Sequence, residues 1–453
     1  MSDRTAILRE QLNRFEAPAR QEALAALAKA WRTGQVAVAA PREEGNLHCH
    51  SFFSFNGYGY SPSALAWLAR ERGWRAVGLV DFDVLDGVGE FLEACDLAAV
   101  RGVAGLETRV YVPEFATREI NSPGEPGIFY LMGMGFTQSA APAGRPAQTL
   151  AQMRHAAESR NRQMMAKLAA HLEPLAADYD HDVLPLTPKG NATERHMLVA
   201  YDELARRRFP DQADLAAFWA AKLGADPAKA AALVADSNAL RDAIRSKLMK
   251  KGGVGYMAPT PEAFPRVPEV NEMIIACGAI PCATWLDGLS AGEQSEEELL
   301  TLLMGQGVGV LNIIPDRNWN FASAAEQELK VRKLYEVVDL ARRLDLPLIA
   351  GTEMNKFGQK LIDDFESAAL RPLREVFMEG AYFLYGHTLL QRGAGLGYQS
   401  AWAKRHLPGR KERNAFYIAL GRAVEPGAES LLKLWAVGGE LDPDGLLALV
   451  QHV

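Results

Sequence analysis

The sequence predicts an α/β fold in which seven βα units close as a barrel. Three observations predict it. Seven short apolar runs recur along the chain, and each stops at polar residues. Helical stretches separate most of the runs, a pattern of parallel βα units. The polar stops include His48 and His50, Asp81, Glu107 and Glu353, and barrels gather their reactive residues at the carboxyl ends of strands. An open doubly wound sheet is the rival. Its dinucleotide-binding form loses support because no GxGxxG follows the first run.

In chain order, residues 5–32 carry a Leu, Ala and Trp face and predict an amphipathic helix within an N-terminal segment, 1–40. The runs are Asn46–His48, Ala76–Asp81, Gly102–Glu107 with a continuation to Val112, Gly127–Met132, Ala279–Thr284, Gly307–Asn312 and Leu346–Glu353. Runs this apolar fit strands buried on both faces. Ser63–Gly73 carries Leu65 and Leu68 and stops at a glycine, and Glu326–Leu344 carries Leu334, Val337 and Val338; both predict helices. Residues 138–265 break the rhythm. They are rich in Ala, Leu, Arg and Lys, with interruptions at 183–193 and 250–256. They predict a helical insertion between strands 4 and 5, on the side where barrels carry functional loops. The barrel then comprises 41–137 and 266–400, and 401–453 predicts closing helices.

Composition excludes several classes. A formal charge of −7 over 453 residues is mild and argues against nonspecific nucleic-acid binding. Four cysteines without CxxC spacing predict neither a disulfide framework nor a structural zinc site. The N-terminus lacks the apolar core of a signal peptide, and no apolar run is long enough to span a bilayer. A soluble cytoplasmic protein with no membrane partner is the expectation. Nothing in the sequence indicates an oligomeric state.

Two histidines at i and i+2 on a strand face the same way. His48 and His50 can therefore hold one ion between them, and imidazole suits zinc, iron or copper. An isolated HxH carries little weight. Asp81, Glu107 and Glu353 at later strand ends give it weight, and a mixed His and carboxylate set suits zinc, manganese or iron with open positions. A carboxylate such as Glu107 can also bridge two ions.

Other polar residues have plainer readings. Asp83, Asp86 and Asp287 fit caps or turns. His155, His171, His181, His406 and His452 lie in helical or terminal contexts. His387 lies near a candidate further strand and is left open. His196 has two readings: it starts a helix that Thr193 can cap, or it hangs over the site from the insertion. An anionic substrate needs cations, and Arg160, Arg162, Arg195, Arg317 and Lys356 are the candidates. Arg317 and Lys356 follow strand ends and are preferred, because arginine offers a bidentate fork to phosphate. Asn355 is a further candidate for substrate contact.

These motifs resemble those of the polymerase and histidinol phosphatase (PHP) superfamily. The residues that carry the resemblance are Asn46–His50, Gly78–Asp81, Gly105–Glu107 and Gly351–Asn355, in matching order over 45–135 and 275–360. The chain also resembles a branch of larger bacterial PHP-like proteins whose helical insertion holds a Thr-Glu-Arg-His stretch, here Thr193–His196. Members of that branch are described, by assignment only, as metal-dependent hydrolases. The resemblance implies a distorted (β/α)7 barrel, a cluster of up to three ions, and hydrolysis of phosphate esters by a metal-activated water. Four positions depart from the family pattern, which has histidine where this chain has Phe82, Met132, Thr284 and Asn355. The set that remains, His48, His50, Asp81, Glu107 and Glu353, fits one or two ions rather than three.

The expected protein is a phosphoesterase that uses divalent zinc, manganese or iron on a small phosphorylated substrate. Arg317, Lys356 and His196 are its candidate catalytic groups; Arg160, Arg162, Arg195 and Asn355 are its candidate binding groups. One alternative is a barrel that has lost catalysis and binds a small anion or a protein partner. An amidohydrolase-type amide or lactone hydrolase ranks lower, because no middle strand end offers a lysine or histidine.

Overall fold

Seven strands form one sheet in sequential order in the computed structural model, which describes residues 3–260, 263–435 and 441–451. His452 lies outside the described residues. The strands are β1 (Arg42–Cys49), β2 (Trp74–Phe82), β3 (Arg101–Tyr111), β4 (Ile128–Phe136), β5 (Ile280–Trp285), β6 (Val310–Ile313) and β7 (Leu348–Ala350). Each falls on one of the seven apolar runs. Helices Pro62–Arg72, Val88–Ala98, Glu296–Gly305 and Ala324–Arg343 join the parallel neighbours. Ser61 and Gly73 bound the first of these: the Ser61 hydroxyl accepts the Ala64 N–H at 3.0 Å, and Gly73 takes the left-handed φ of 74°.

One strand departs from the expected parallel pattern. β4 runs antiparallel to both β3 and β5. Only a short 3-10 turn, Pro113–Phe115, lies between β3 and β4. The connection is long enough for a parallel crossover but holds no helix to pack across the sheet, as such a crossover usually has, and the chain turns back on itself. Between β4 and β5 the chain is helical, with no strand among the described residues.

The sheet curls until its first and last strands meet. Cys49 and Glu353 form a parallel bridge, and the His50 N–H donates to the Glu353 carbonyl at 2.8 Å. The result is a nearly closed barrel. Its seam depends on a close approach at Gly351, where a Cβ would stand 2.5 Å from both the backbone nitrogen and the Cβ of His48. The buried Asn46 amide ties the seam. Its Nδ2 donates to Thr352 Oγ1 at 2.7 Å and to the Leu361 carbonyl at 2.9 Å. Its Oδ1 accepts the N–H groups of His48 at 3.1 Å and Thr352 at 3.2 Å.

The helix Arg374–Ala394 closes the amino end of the barrel. The Tyr382 hydroxyl donates to Glu43 Oε2 at 2.6 Å near the start of β1. A Cβ on Gly380 would overlap the carbonyl of Leu348, the first residue of β7. Ala381, Phe383 and Leu384 join Leu47, Val80, Val103, Met134, Ile280 and Val310 in one core. The carboxyl ends of the parallel strands are left for chemistry. His387, which the sequence left near a further strand, sits inside this helix, fully buried. Its Nδ1 accepts the Tyr398 N–H at 2.9 Å, and burial pushes its pKa down to about 4, so the ring is neutral. A helix buried on all sides shows no polar face in sequence, which is why its apolar run reads like a strand.

Residues 5–32 form two helices rather than the one expected, Asp3–Gln11 and Ala17–Arg32. Pro18 sits in the first turn of the second, where its missing N–H does no harm; in the interior of one continuous helix it would break the ladder. No helix among the described residues is long and apolar enough to cross a membrane. All four cysteines are free thiols.

Residues 53–55 and 151–264 form a second compact unit. Its core includes Leu168, Leu172, Met197, Tyr201, Trp219, Leu240 and Ile244. Its helices Glu194–Arg208, Gln212–Leu223, Pro227–Ala235 and Ser237–Ile244 start at Thr193, Asp211, Asp226 and Asp236. Each of those side chains accepts a first-turn N–H, as N-caps do.

Gly351→Ala tests the seam. The added methyl is expected to cost about 1–3 kcal/mol, the usual range for overpacking, read as a lower denaturant midpoint. An unchanged midpoint would mean that β7 can back away from β1 freely.

Candidate metal centre

The site begins with an irregularity in β1. From Asn46 to Cys49 the strand advances three residues while its partner β2 advances two, from Val77 to Leu79. The extra residue is a bulge, a device that re-aims side chains. Leu47 goes to the core, and His48 and His50 turn together toward Glu107 on β3.

His48 Nε2 stands 3.4 Å from Glu107 Oε2, and His50 Nε2 stands 3.2 Å from the same oxygen. The two rings lie 5.3 Å apart between centroids. All three residues are buried, at 1 %, 0 % and 4 % exposure. Neither nitrogen of His48 has a hydrogen-bond partner of acceptable geometry. Burial by itself would raise the Glu107 pKa; the two histidines beside it outweigh burial and hold it at about 2. Burial likewise opposes a charged His48, yet the Glu107 charge, helped by Glu353, keeps its pKa above the ordinary value. The cluster is therefore an ionised carboxylate facing two imidazoles.

These residues fit a divalent ion. Two ligands each about 2.0–2.1 Å from a zinc ion at the tetrahedral angle stand about 3.3 Å apart, which is the spacing seen here. One ligand atom from each residue lies within 4.8 Å of the other two, and no further His, Cys, Asp or Glu joins the group among the described residues. The donor set, two nitrogens and one oxygen, suits zinc, manganese or iron and leaves coordination positions open.

Asp81 and Glu353 lie outside this group and have other partners. Asp81 Oδ1 accepts the Ser51 N–H at 2.8 Å, and Oδ2 accepts the Ser51 hydroxyl at 2.7 Å. Asp81 thus fixes the turn that leaves His50. Glu353 Oε2 accepts Arg317 Nη2 at 2.6 Å and Gln359 Nε2 at 3.0 Å. Glu353 and Met354 both take left-handed backbone conformations, with φ of 66° and 57°. Such strain outside glycine persists where surrounding contacts over-determine it. Here the Glu353 carbonyl is held by His50 and the Met354 carbonyl by the Gly57 N–H at 2.8 Å. Asn355 and Lys356 follow in the same loop, half-buried, and the Lys356 N–H donates to Gln359 Oε1 at 2.8 Å. The Arg317 guanidinium is exposed beside Glu353.

The positions without histidine have structural occupants. Phe82 stacks on the His50 ring at 4.4 Å between centroids. Met132 pairs with Glu107 across β3 and β4 and is fully buried. The Thr284 hydroxyl donates to the Tyr130 carbonyl at 2.5 Å and accepts Asn121 Nδ2 at 2.6 Å. Asp83 makes a turn at φ 58° and accepts the Thr108 hydroxyl at 2.6 Å.

Four candidates belong to the second unit. His196 is the third residue of its helix and closes a capping box: Nδ1 accepts the Thr193 N–H at 3.0 Å. Burial pushes its pKa down to about 3. Arg195 donates to Asp242 Oδ1 at 3.1 Å. Arg162 holds Asp180 at 2.6 Å and Glu158 at 2.9 Å. Arg160 lies over the Phe264 ring at 5.1 Å.

Sequence reasoning missed Asn46, Ser51 and Gln359, which orient the site from behind. The one available signal was a polar residue, Asn46, opening an otherwise apolar run.

No family model matches this chain, and no curated protein matches it. Among solved structures, an amidohydrolase from Chromobacterium violaceum with bound sulfate and no metal is 17% identical, with 74% of this chain and 95% of that one covered and a TM-score of 0.48. A "putative metal-dependent phosphoesterase" from Bifidobacterium adolescentis is 18% identical, with 74% and 97% covered and a TM-score of 0.46. At this identity and superposition neither likeness bears on the chemistry.

An ion that binds only the folded chain stabilises it by mass action. Manganese or zinc at about a hundredfold excess over its dissociation constant should raise stability by about 2.7 kcal/mol. Glu107→Gln, equal in shape but uncharged, should lose most of that increment in the same thermal titration. A variant stabilised as fully as the wild type would place the ion elsewhere.

Proposed function

We propose that this chain is a metal-dependent hydrolase of the PHP type that cleaves a small phosphate ester. One observation carries the reading: His48, His50 and Glu107 form a buried triangle at metal-ligand spacing, with both His48 nitrogens lacking hydrogen-bond partners. A zinc, manganese or iron ion held by these three residues would supply an acidified water and a Lewis acid at the scissile group.

The chain's own residues then have definite tasks. Glu107 stays ionised at every physiological pH, since its pKa is held at about 2, and so remains an acceptor toward a cation. Phe82 holds the His50 ring in one plane and excludes water from that side. Arg317 offers a guanidinium fork to a phosphate oxygen while Glu353 positions it. Lys356 and Asn355, in the Glu353 loop, are the next candidates for substrate contact. In this reading 41–137 and 266–400 form the barrel and 138–265 is an insertion between strands 4 and 5. Arg160, Arg162, Arg195 and His196 belong to that insertion. Their carboxylate, aromatic and capping partners within it give them structural work first, so they rank below Arg317. A cytoplasmic setting completes the proposal.

A second reading is a barrel that binds a small anion without hydrolysing it. The engagement of Asp81 by Ser51 and of Glu353 by Arg317 favours it, because both carboxylates are then withheld from a second ion.

Elemental analysis and a screen of phosphate mono- and diesters with added manganese separate the two. The proposal expects near-stoichiometric zinc, manganese or iron, and turnover. His48→Ala combined with His50→Ala should lose both; metal retained in that double variant would sink the site. Arg317→Ala should keep the metal and lower kcat/KM by about 10²-fold, as for the removal of one oxyanion donor. Metal and phosphate binding without turnover of any ester would select the second reading.

A further inference from the structure

One buried polar group in the barrel has no task in the reading above. Asn312, on β6, is 0 % exposed, and neither its Nδ2 nor its Oδ1 has a hydrogen-bond partner. Residues two apart on a strand share a face. Asn312 therefore shares the face of Val310, a member of the barrel core. It pairs with Thr284 on β5 and with Ile349 on β7, and Ile349 is in that core too. The carboxamide consequently points into the barrel.

Its height in the barrel follows from the register. Glu107 pairs with Met132, Met132 with Cys282, and Cys282 with Val310. Asn312 lies two residues beyond that row, toward the carboxyl ends where the site is. Its neighbour Thr284 already joins Tyr130 and Asn121. The Asn46 amide, at the opposite side of β7, is saturated by four hydrogen bonds. A buried amide left unpaired is costly, and a leucine of similar volume would remove that cost. Among the described residues that are buried without a hydrogen-bond partner, His48 on β1 is a metal donor and Asn312 on β6 an amide donor, with β7 between their strands.

We propose that Asn312 is a substrate-binding residue, its Nδ2 donating to an oxygen of the oxyanion held at the His48, His50 and Glu107 centre. The inference rests on the phosphoesterase reading and adds a residue that nothing in the motif pattern marks. The donor complements Arg317: the guanidinium meets the anion from the exposed mouth, the amide from within the wall.

Manganese-loaded wild type, Asn312→Leu and Asn312→Asp are compared by titration calorimetry with inorganic phosphate, alongside manganese content and melting temperature. Asn312→Leu should keep its manganese, melt no lower than wild type, and bind phosphate about tenfold more weakly, the worth of one hydrogen bond to a charged group. Asn312→Asp, the same shape with the donor replaced by a carboxylate, should weaken phosphate at least as much. Wild-type phosphate affinity in either folded variant overturns the assignment of Asn312 and leaves the phosphoesterase reading standing. A wild type that holds manganese and binds no phosphate overturns both.

Discussion

The barrel seam is the constraint on which the site depends. β1 and β7 lie about 300 residues apart in sequence, and they meet where His50 leaves β1, beside its partner Glu107. One buried amide does most of the joining: Asn46 makes three hydrogen bonds across the seam, to Thr352 twice and to Leu361, and a fourth within β1 to His48. Gly351 permits the approach because nothing larger fits against His48. The same seam explains the left-handed backbone at Glu353 and Met354. Their carbonyls are held by His50 and Gly57, so the strain is stored where the loop must turn sharply over the site.

Within that frame, electrostatics beats burial. A carboxylate this buried ordinarily resists ionisation. Glu107 ionises readily because two imidazoles face one of its oxygens. The converse holds for His48, whose cation burial opposes and Glu107 restores. The group is thus short of positive charge when its imidazoles are neutral. Metal binding generally exchanges protons for a cation at such groups. A purely structural trio would gain more from hydrogen bonds to its outer nitrogens, and His48 has none.

Much of the fold was legible because barrel strands are apolar on both faces and end at polar residues. All seven runs became strands, and the pair His48 and His50 with Glu107 came together. What was not legible has physical causes. The direction of β4 depends on whether the connection before it holds a crossover helix, and apolar runs carry no direction. The bulge at Asn46–Cys49 depends on pairing with β2 and has no local signature. His387 was left open near a candidate strand because the helix Arg374–Ala394 is buried around its circumference. That Arg317 reaches Glu353, and Ser51 reaches Asp81, was not legible either, because a sequence shows strand-end carboxylates without their hydrogen-bond partners. Asn312 was hidden for the opposite reason: its significance lies in partners it lacks.

The residues at the four positions where the resemblance expects histidine bear on how many ions the barrel can serve. Phe82 is packed flat against His50, Met132 is buried beside Glu107 on the next strand, and Thr284 is locked between Tyr130 and Asn121. Each has a packing or hydrogen-bonding role of its own. Asn355 stands in a loop already shaped by Gln359. Among the described residues the one cluster of candidate ion ligands lies where β1 faces β3, and the wall formed by β5 and β6 carries the Asn312 amide instead. A barrel divided in this way suits one ion on one side and an uncharged hydrogen-bonding surface on the other. On the proposed reading, that division sets an ion on one side and a neutral amide donor toward the substrate on the other.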